Sequence, residues 1–477
     1  MSKDTEQLYA ERLDRYVTAM RNEKPDRVPI RPFVAEFTAK YAGYTCQEVT
    51  HDYEKAFDAA RKCAAGFDWD AVVGNMVYVW TGLTQAIGLK YYGTPGIHVP
   101  TDTGFQYIEP PEEEAFMPPE DYDRLIADPV AYLFNVWLPR ASSDVVDVGQ
   151  PATYRNNLSF VKGGMAMLQY FTAFGPQGEA LRRESGTVSA IAGILKAPMD
   201  ILADKLRGYL GLCTDLMERP DKVKAACEAL APHLLHVALS GADPAKNVPI
   251  GMWMHRSCVP FISHEHFNTI YWPTLKPIIE AIRAAGHQTL FYAEGDWNAH
   301  LDAFAELPAG SIVYHVDQAD IFEVHRKLGR KFALSGGIPN FLLSYGTEQQ
   351  VKDRCKEVID GVAADGGYIL DASAIVQNDA KVENLRAMTD FTREYGVYGT
   401  AHLTDAPAPK PPAGEAKPKG GHYELTQPTI KPGVCIPWED KLKELPDITG
   451  DAELVQRVWE DIDALAYMYI WQVLLSF

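Results

Sequence analysis

The strongest constraint on the fold is a series of eight short apolar runs, with helical stretches between most of them. They are VPIRPF (28–33), WDAVVG (69–74), VSAIAG (188–193), VPIGMWM (248–254), QTLFYA (288–293), SIVYHV (311–316), KFALSG (331–336) and GYILDA (367–372). Short apolar runs bounded by glycine, proline and polar residues are typical of buried strands. Eight buried strands that alternate with helices favour an α/β fold, a parallel (β/α)8 TIM barrel, over an open sheet.

The sequence around these strands predicts further elements. Residues 1–25 predict an N-terminal helix, and the stretch 91–111 predicts an inserted hairpin. We divide the chain into a barrel unit (1–400), a Pro-rich strap (401–450) and a C-terminal docking helix (451–477). Apolar side chains nearly encircle the end of that last helix, so one contact face cannot bury them all. We therefore expect it to be buried in a homodimer interface, or against the outer helices close to one.

Composition excludes several classes of function. Acidic residues outnumber basic ones by 64 to 45, giving a formal net charge of -19, which repels nucleic-acid backbones. The seven cysteines are widely spaced with no C-x-x-C, which is typical of a reducing compartment. The N-terminal residues carry no apolar signal region, and the longest apolar stretch (464–477) is too short to span a bilayer of ~30 Å. We expect a cytoplasmic protein that binds neither nucleic acid nor a membrane.

In a parallel barrel the active site lies at the C-terminal ends of the strands, so polar residues that follow a strand are candidates for the site. This rule selects Glu36 after the first strand; His255, Arg256 and Cys258 after the fourth; Glu294, Asp296 and Trp297 after the fifth; His315 and Asp317 at the end of the sixth; residues 335–340 after the seventh; and Asp371, Ser373 and Gln377 after the eighth. Aromatic and sulfur side chains at 75–82 either wall a pocket for a flat substrate or pack in the core.

Glu294 and His315 form the most specific pair among these candidates. They end neighbouring predicted strands, which lie ~4.8 Å apart in a parallel sheet. A carboxylate and an imidazole at this distance suit zinc or another divalent first-row metal. Asp371 is the first choice for a third ligand, with Asp317, Cys258 or water as alternatives. A buried Glu–His hydrogen bond without a metal explains the same spacing.

The stretch 26–398 also resembles the uroporphyrinogen decarboxylase-like superfamily, in its methyltransferase branch. The matching pieces follow one another along the chain: RNEKPDRVPIRP (21–32), MPPEDYDRLIADP (117–129), APMDILADKLRG (197–208), and longer stretches at 261–287, 327–360 and 366–388. The resemblance implies a (β/α)8 barrel with its site at the strand ends. The decarboxylase itself is a poorer match, because its Arg-rich substrate-gripping motif is replaced here by IRPFVAEFTAKYAG (30–43), which holds one arginine.

Thiol-methylating members of this branch hold zinc with thiolates, and this sequence departs from that pattern. Tyr292 and Glu294 stand where a His-x-Cys pair would be, His315 stands at the sixth strand, and Ser373 or Ala374 replaces the last cysteine. Harder oxygen and nitrogen ligands leave a more electrophilic ion, which suits a substrate oxygen that must depart. In this respect the sequence resembles the O-demethylating methyltransferases of anaerobic bacteria, which pass the methyl group to cob(I)alamin on a separate corrinoid protein.

The resemblance therefore implies methyl transfer from an O-methyl donor, with an aryl methyl ether as the first candidate, to cob(I)alamin. Zinc held by Glu294, His315 and Asp371 would act on the leaving oxygen, and Asp296, Asp317 and Tyr292 are the candidate catalytic groups. The chain has no D-x-H-x-x-G motif, so the cobalamin is expected on the partner. The alternatives are methyl transfer from a methylcorrinoid to a thiol, a metal-free ligand-binding barrel, and uroporphyrinogen decarboxylase.

Overall fold

Parallel strand pairing runs around a closed ring of eight segments. The computed structural model describes residues 4–73, 84–403 and 423–475. In chain order the segments are residues 30–34, Ala71–Val72, Val188–Ser189 continued by Ile194–Lys196, Ile250–Met254, Thr289–Ala293, Ile312–Val316, Ala333–Gly336, and Tyr368–Ile369. We call them the first to the eighth strand. The predicted strands all have a counterpart in this ring.

The ring closes because the first strand pairs with both the second and the eighth. A six-stranded parallel sheet joins the third to the eighth strand in chain order. The second strand pairs with the third at Ala71 and Val188. Parallel bridges then join Phe33 to Val73 and Ile30 to Leu370. The predicted (β/α)8 barrel is confirmed, and the C-terminal ends of its strands share one mouth.

Helices surround this ring, and others come before its first strand and after its eighth strand in the chain. They are Thr5–Met20, Glu36–Ala42, Cys46–His51, Tyr53–Phe67, Tyr122–Ala127, Pro129–Tyr132 running on to Leu138–Ala141, Tyr154–Ser185, Pro198–Ile201 running on to Leu202–Leu206, Gly208–Glu218, Pro220–Ser240, His264–His266 running on to Trp272–Ala284, Leu301–Phe304, Ile321–Leu328, Asn340–Tyr345, Glu348–Val358, Val382–Tyr395, Trp438–Glu444 and Ala452–Leu475. The inserted hairpin pairs Tyr92–Gly93 with Gln106–Tyr107. Nowhere in the described ranges is a helix both long enough and apolar enough to cross a bilayer.

The N-terminal helix closes the end of the barrel that lies opposite the mouth. Arg15 Nη1 and Arg27 Nη2 each lie 2.7 Å from Asp70 Oδ1, at the start of the second strand. The Asp70 carboxylate is buried and also accepts a hydrogen bond from the backbone N–H of Ile30. This ion cluster links the N-terminal helix to the first and second strands, so packed side chains occupy the end of the barrel opposite the mouth.

The C-terminal helix Ala452–Leu475 packs its last turns on the helix Pro220–Ser240. The Tyr467 hydroxyl lies 2.7 Å from His233 Nδ1, and the Trp471 ring stacks on the His233 ring at 5.1 Å. Tyr467 and Trp471 are fully buried, whereas Val458 and Ile462 on the preceding turns are more than half exposed. The helix is thus held by the barrel's outer layer, and the homodimer interface stays a prediction.

Candidate active site

A cavity of about 480 Å³ opens at the mouth of the barrel. We call it the mouth cavity. Its walls come from the chain just after the fourth, fifth, sixth, seventh and eighth strands. The lining residues are His255, Arg256, Cys258, Phe261, Glu294, Gly295, Asp317, Gln318, Asn340, Ala374, Ile375 and Gln377. This is the location that the barrel fold predicts for an active site.

Two carboxyl groups, Glu294 and Asp317, share one side of the mouth cavity. Asp317 Oδ2 accepts a hydrogen bond of 2.8 Å from the backbone N–H of Gly295. Gly295 has φ +87°, and a Cβ there would lie 2.6 Å from Cys258 Sγ, so only glycine fits this turn. The turn places the ends of the fifth and sixth strands side by side, as strand pairing between them requires.

Burial raises the pKa of both carboxyl groups. For Glu294 burial is the main cause, the nearby Asp317 raises its pKa further, and His255 opposes the shift. Burial likewise raises the pKa of Asp317, against the hydrogen bond from Gly295. No described residue donates a hydrogen bond to the Glu294 carboxylate. A raised pKa favours the protonated form of each carboxyl group, so this side of the cavity is suited to donate a proton.

A cationic cluster around Asp204 forms another wall of the site. Asp204 Oδ1 lies 3.0 Å from His255 Nε2 and 2.8 Å from Arg256 Nε, and Oδ2 lies 2.7 Å from Lys196 Nζ. Burial opposes ionisation of Asp204, but these three cations hold its pKa well below the usual range. Burial would lower the pKa of His255, yet Asp204 raises it overall. Arg256 also lies 3.8 Å from Glu109, so Lys196, His255 and Arg256 face two carboxylates, Asp204 and Glu109, in this wall.

The sequence rule missed two members of this cluster. Lys196 ends the third strand and satisfies the rule, but the apolar run at 188–193 gave a strand that stopped before it. Asp204 lies in the wide helical turn Leu202–Leu206, and the rule selects only residues that follow a strand. The only signal for Asp204 is the turn's departure from regular α-helix, which the sequence does not show.

Both ring nitrogens of His315 make hydrogen bonds to buried neighbours. Nε2 donates to the Ser373 carbonyl at 2.9 Å, so Nδ1 carries no proton and accepts from the Ser335 hydroxyl at 2.9 Å. Ser335 in turn accepts from Arg31 Nη2 at 2.8 Å. Burial and then Arg31 hold the pKa of His315 well below its usual value. His315 is therefore neutral, fully buried and without a free lone pair.

Of the three predicted metal ligands, the structure brings together His315 and Asp371, with Nδ1 3.7 Å from Oδ2, but not Glu294. Asp371 lies against Arg31, with Oδ2 3.3 Å from Nη2, and Glu294 faces the mouth cavity, which His315 and Asp371 do not line. Among the described residues, no group of three or more His, Cys, Asp and Glu side chains is placed to hold a metal ion. The set Glu294, His315 and Asp371 does not fit zinc in this arrangement, because His315 would first have to release Ser373.

Tyr292 and Asp296, the two other predicted catalytic residues, lie beside the cavity rather than in it. The Tyr292 ring stacks on His315 at 4.3 Å, and its buried hydroxyl has no hydrogen-bond partner in the described part of the chain. Asp296 Oδ1 accepts from the backbone N–H of Asn298, which is the role of a turn former. Neither residue lines the mouth cavity. The aromatic stretch 75–82 lies outside the described residues.

Comparison with known proteins agrees with this fold. A family model described as uroporphyrinogen decarboxylase (URO-D) matches residues 177–395. A solved methyltransferase from Methanosarcina mazei has a similar fold, with a TM-score of 0.52 and 15% sequence identity over 80% of this chain and 98% of that chain. No match was found among curated proteins. The family model covers just under half of the chain, and over that stretch it supports the resemblance noted in the sequence.

Proposed function

We propose that this protein is an enzyme that moves a methyl group from an O-methyl donor to cob(I)alamin on a separate corrinoid protein. An aryl methyl ether is the first candidate for the donor. The proposal is supported by the superfamily, by the similar fold of the methanogen methyltransferase, and above all by the Glu294–Asp317 carboxyl pair in the mouth cavity. The pair can donate a proton to the ether oxygen, which would otherwise have to leave as an alkoxide or phenolate, a poor leaving group.

The proposed reaction balances without any further reactant. The cobalt of cob(I)alamin gives an electron pair to the methyl carbon while the C–O bond breaks and its electrons pass to the oxygen. Glu294 donates its proton to that oxygen, so the donor leaves as a neutral alcohol or phenol. A positioned acid typically contributes a factor of about 10² to 10⁴ to such a step. His255 and Lys196, which lower the pKa of Glu294, then stabilise the carboxylate that remains after the proton has left.

Zinc at Glu294 and His315 stays a prediction, and the proton step above does not depend on it. Elemental analysis of the purified protein tests it, with His315→Ala as the matched variant. Stoichiometric zinc in the wild type and its loss from the variant would show that His315 exchanges Ser373 for the metal. A wild-type protein purified in zinc-supplemented medium with only trace zinc would contradict the prediction.

A panel of methyl donors tests the donor class. Purified protein is mixed with chemically reduced free cobalamin and an aryl methyl ether, an alkyl methyl ether, a methylamine or a thioether, and the cobalt spectrum is followed. We expect methylation of cobalamin with the ethers and release of the matching phenol or alcohol. Reaction with methylamines alone would show that the ether proposal is wrong. Methylation of an added thiol by methylcobalamin, with no reaction of any ether, would favour the thiol alternative.

A further inference from the structure

A second and larger cavity, of about 630 Å³, lies on the flank of the barrel, away from the mouth. We call it the flank cavity. It lies between the second and third strands and the helices Thr5–Met20, Tyr53–Phe67 and Tyr154–Ser185. No residue lines both this cavity and the mouth cavity. Its size is in the range of small-molecule sites, which are about 300–1,000 Å³.

Aromatic rings form much of the flank cavity's wall. Phe174 contacts Phe57 at 5.2 Å and Tyr170 at 4.7 Å, in both cases edge to face, and Phe171 packs on Tyr170 at 5.2 Å. Aromatic faces and edges of this kind favour another aromatic ring over a flexible chain, because rings gain from offset or edge-to-face contact. The wall thus favours a planar apolar molecule.

One polar group in the wall has no partner. Gln472, from the last turns of the C-terminal helix, is 7% exposed and lines the flank cavity. Its Oε1 atom is shut off from solvent and accepts no hydrogen bond from the described residues. A buried polar atom without a partner is costly, so it requires either a water or a ligand that donates a hydrogen bond.

Four charged residues line the flank cavity; three of them have partners, and the fourth, Glu179, is exposed to solvent. Arg61 pairs with Glu184 at 3.2 Å, Arg182 pairs with Glu6, and Asp243 accepts from the backbone N–H groups of Asn247 and Val248. Among the described lining residues, each charge is thus either paired within the fold or exposed to solvent, so the wall offers no buried, unpaired charge to an ionic ligand. The fitting molecule is therefore uncharged.

We infer that the flank cavity is a binding site for an uncharged aromatic molecule with one hydrogen-bond donor, such as a phenol. The ring occupies the aromatic wall, and the donor satisfies Gln472 Oε1. This inference does not depend on the proposed methyl transfer. It adds a second ligand site to the barrel, formed in part by the C-terminal helix.

Calorimetric titration of the full chain with 2-naphthol and with naphthalene tests the inference. The two probes share the ring system, and only naphthol has a donor. We expect naphthol to bind wild-type protein more tightly than naphthalene by about three- to tenfold, the value of one net hydrogen bond. Gln472→Leu keeps the volume of the side chain and should remove this preference while both probes still bind.

A second pair of variants locates the binding. Gly178 lines the flank cavity and has no atom within 4 Å of an added Cβ, so the Gly178→Leu side chain should take up part of the space and weaken binding of both probes. Gly164 lies on the same helix with equally open surroundings but does not line the cavity, so Gly164→Leu should bind like the wild type. Circular dichroism checks that both variants are folded. Naphthol binding that is unchanged in both Gly178→Leu and Gln472→Leu, or absent in the wild type, would overturn the inference.

Discussion

Removal of the Ser335 hydroxyl should lower the free energy of unfolding substantially, although only one atom is lost. The hydroxyl is fully buried, donates to His315 Nδ1 and accepts from Arg31 Nη2, both within 2.9 Å. Ser335→Ala leaves these two groups without that partner, and each orphaned buried group costs about 1–3 kcal/mol. Arg31 keeps Asp371 at 3.3 Å, which limits its share. We expect a total loss of about 2–4 kcal/mol in the free energy of unfolding.

Urea unfolding followed by circular dichroism measures this loss. Ser311→Ala is the matched control, because Ser311 is equally buried and its hydroxyl has no hydrogen-bond partner in the described chain. Deleting a hydroxyl that makes no bond should cost little or nothing. If Ser335→Ala loses no more stability than Ser311→Ala, the chain of hydrogen bonds from Arg31 to His315 does not stabilise the barrel as we argue.

Three further predictions test other parts of the account. Asp317→Asn removes a neighbour that raises the pKa of Glu294. The methyl-transfer rate should fall at high pH, where Glu294 loses its proton, and in the variant this fall should occur at lower pH. A pH–rate profile identical to that of the wild type would contradict the interaction between the two carboxyl groups. Trp471→Ala removes a fully buried ring stacked on His233 and should lower the free energy of unfolding in urea by about 3–5 kcal/mol. A smaller loss than that of Val458→Ala, at an exposed position of the same helix, would show that Trp471 does not hold the helix against the barrel. Deletion of residues 451–477 should give monomers or aggregates on light scattering, and a soluble truncation with the full-length oligomeric state would refute the predicted homodimer.

Local sequence patterns were sufficient for most of the fold. The apolar runs marked all eight strands because both faces of barrel strands are buried, so the runs are nearly continuous. Thr347 and Gln350 form a capping box, and Ser263 caps the helix that follows it. Gly286, with φ +92°, follows the end of that helix. Each of these signals acts within a few residues of chain, which is why they can be seen in the sequence.

The site could be predicted only in outline, because its contacts join distant parts of the chain. The strand-end rule found Glu294, Asp317, His255 and Arg256, which all line the mouth cavity. It did not predict that His315 would turn to Ser373, 58 residues later, rather than toward Glu294. Strand pairing fixes the height of a side chain, but its direction depends on which neighbours offer it hydrogen bonds. Hydrogen bonds to the Ser335 hydroxyl and the Ser373 carbonyl fix the direction of the His315 ring.

Methyl transfer by a Glu294→Gln variant tests the central claim most directly. The rate of phenol release from an aryl methyl ether is measured with reduced free cobalamin, in parallel with wild type and with Glu394→Gln, an exposed control far from the cavity. Glutamine keeps the shape of Glu294 but cannot donate a carboxyl proton, so we predict a loss of about 10² to 10⁴ in rate, with the control unchanged. A Glu294→Gln enzyme as fast as the wild type would contradict the account.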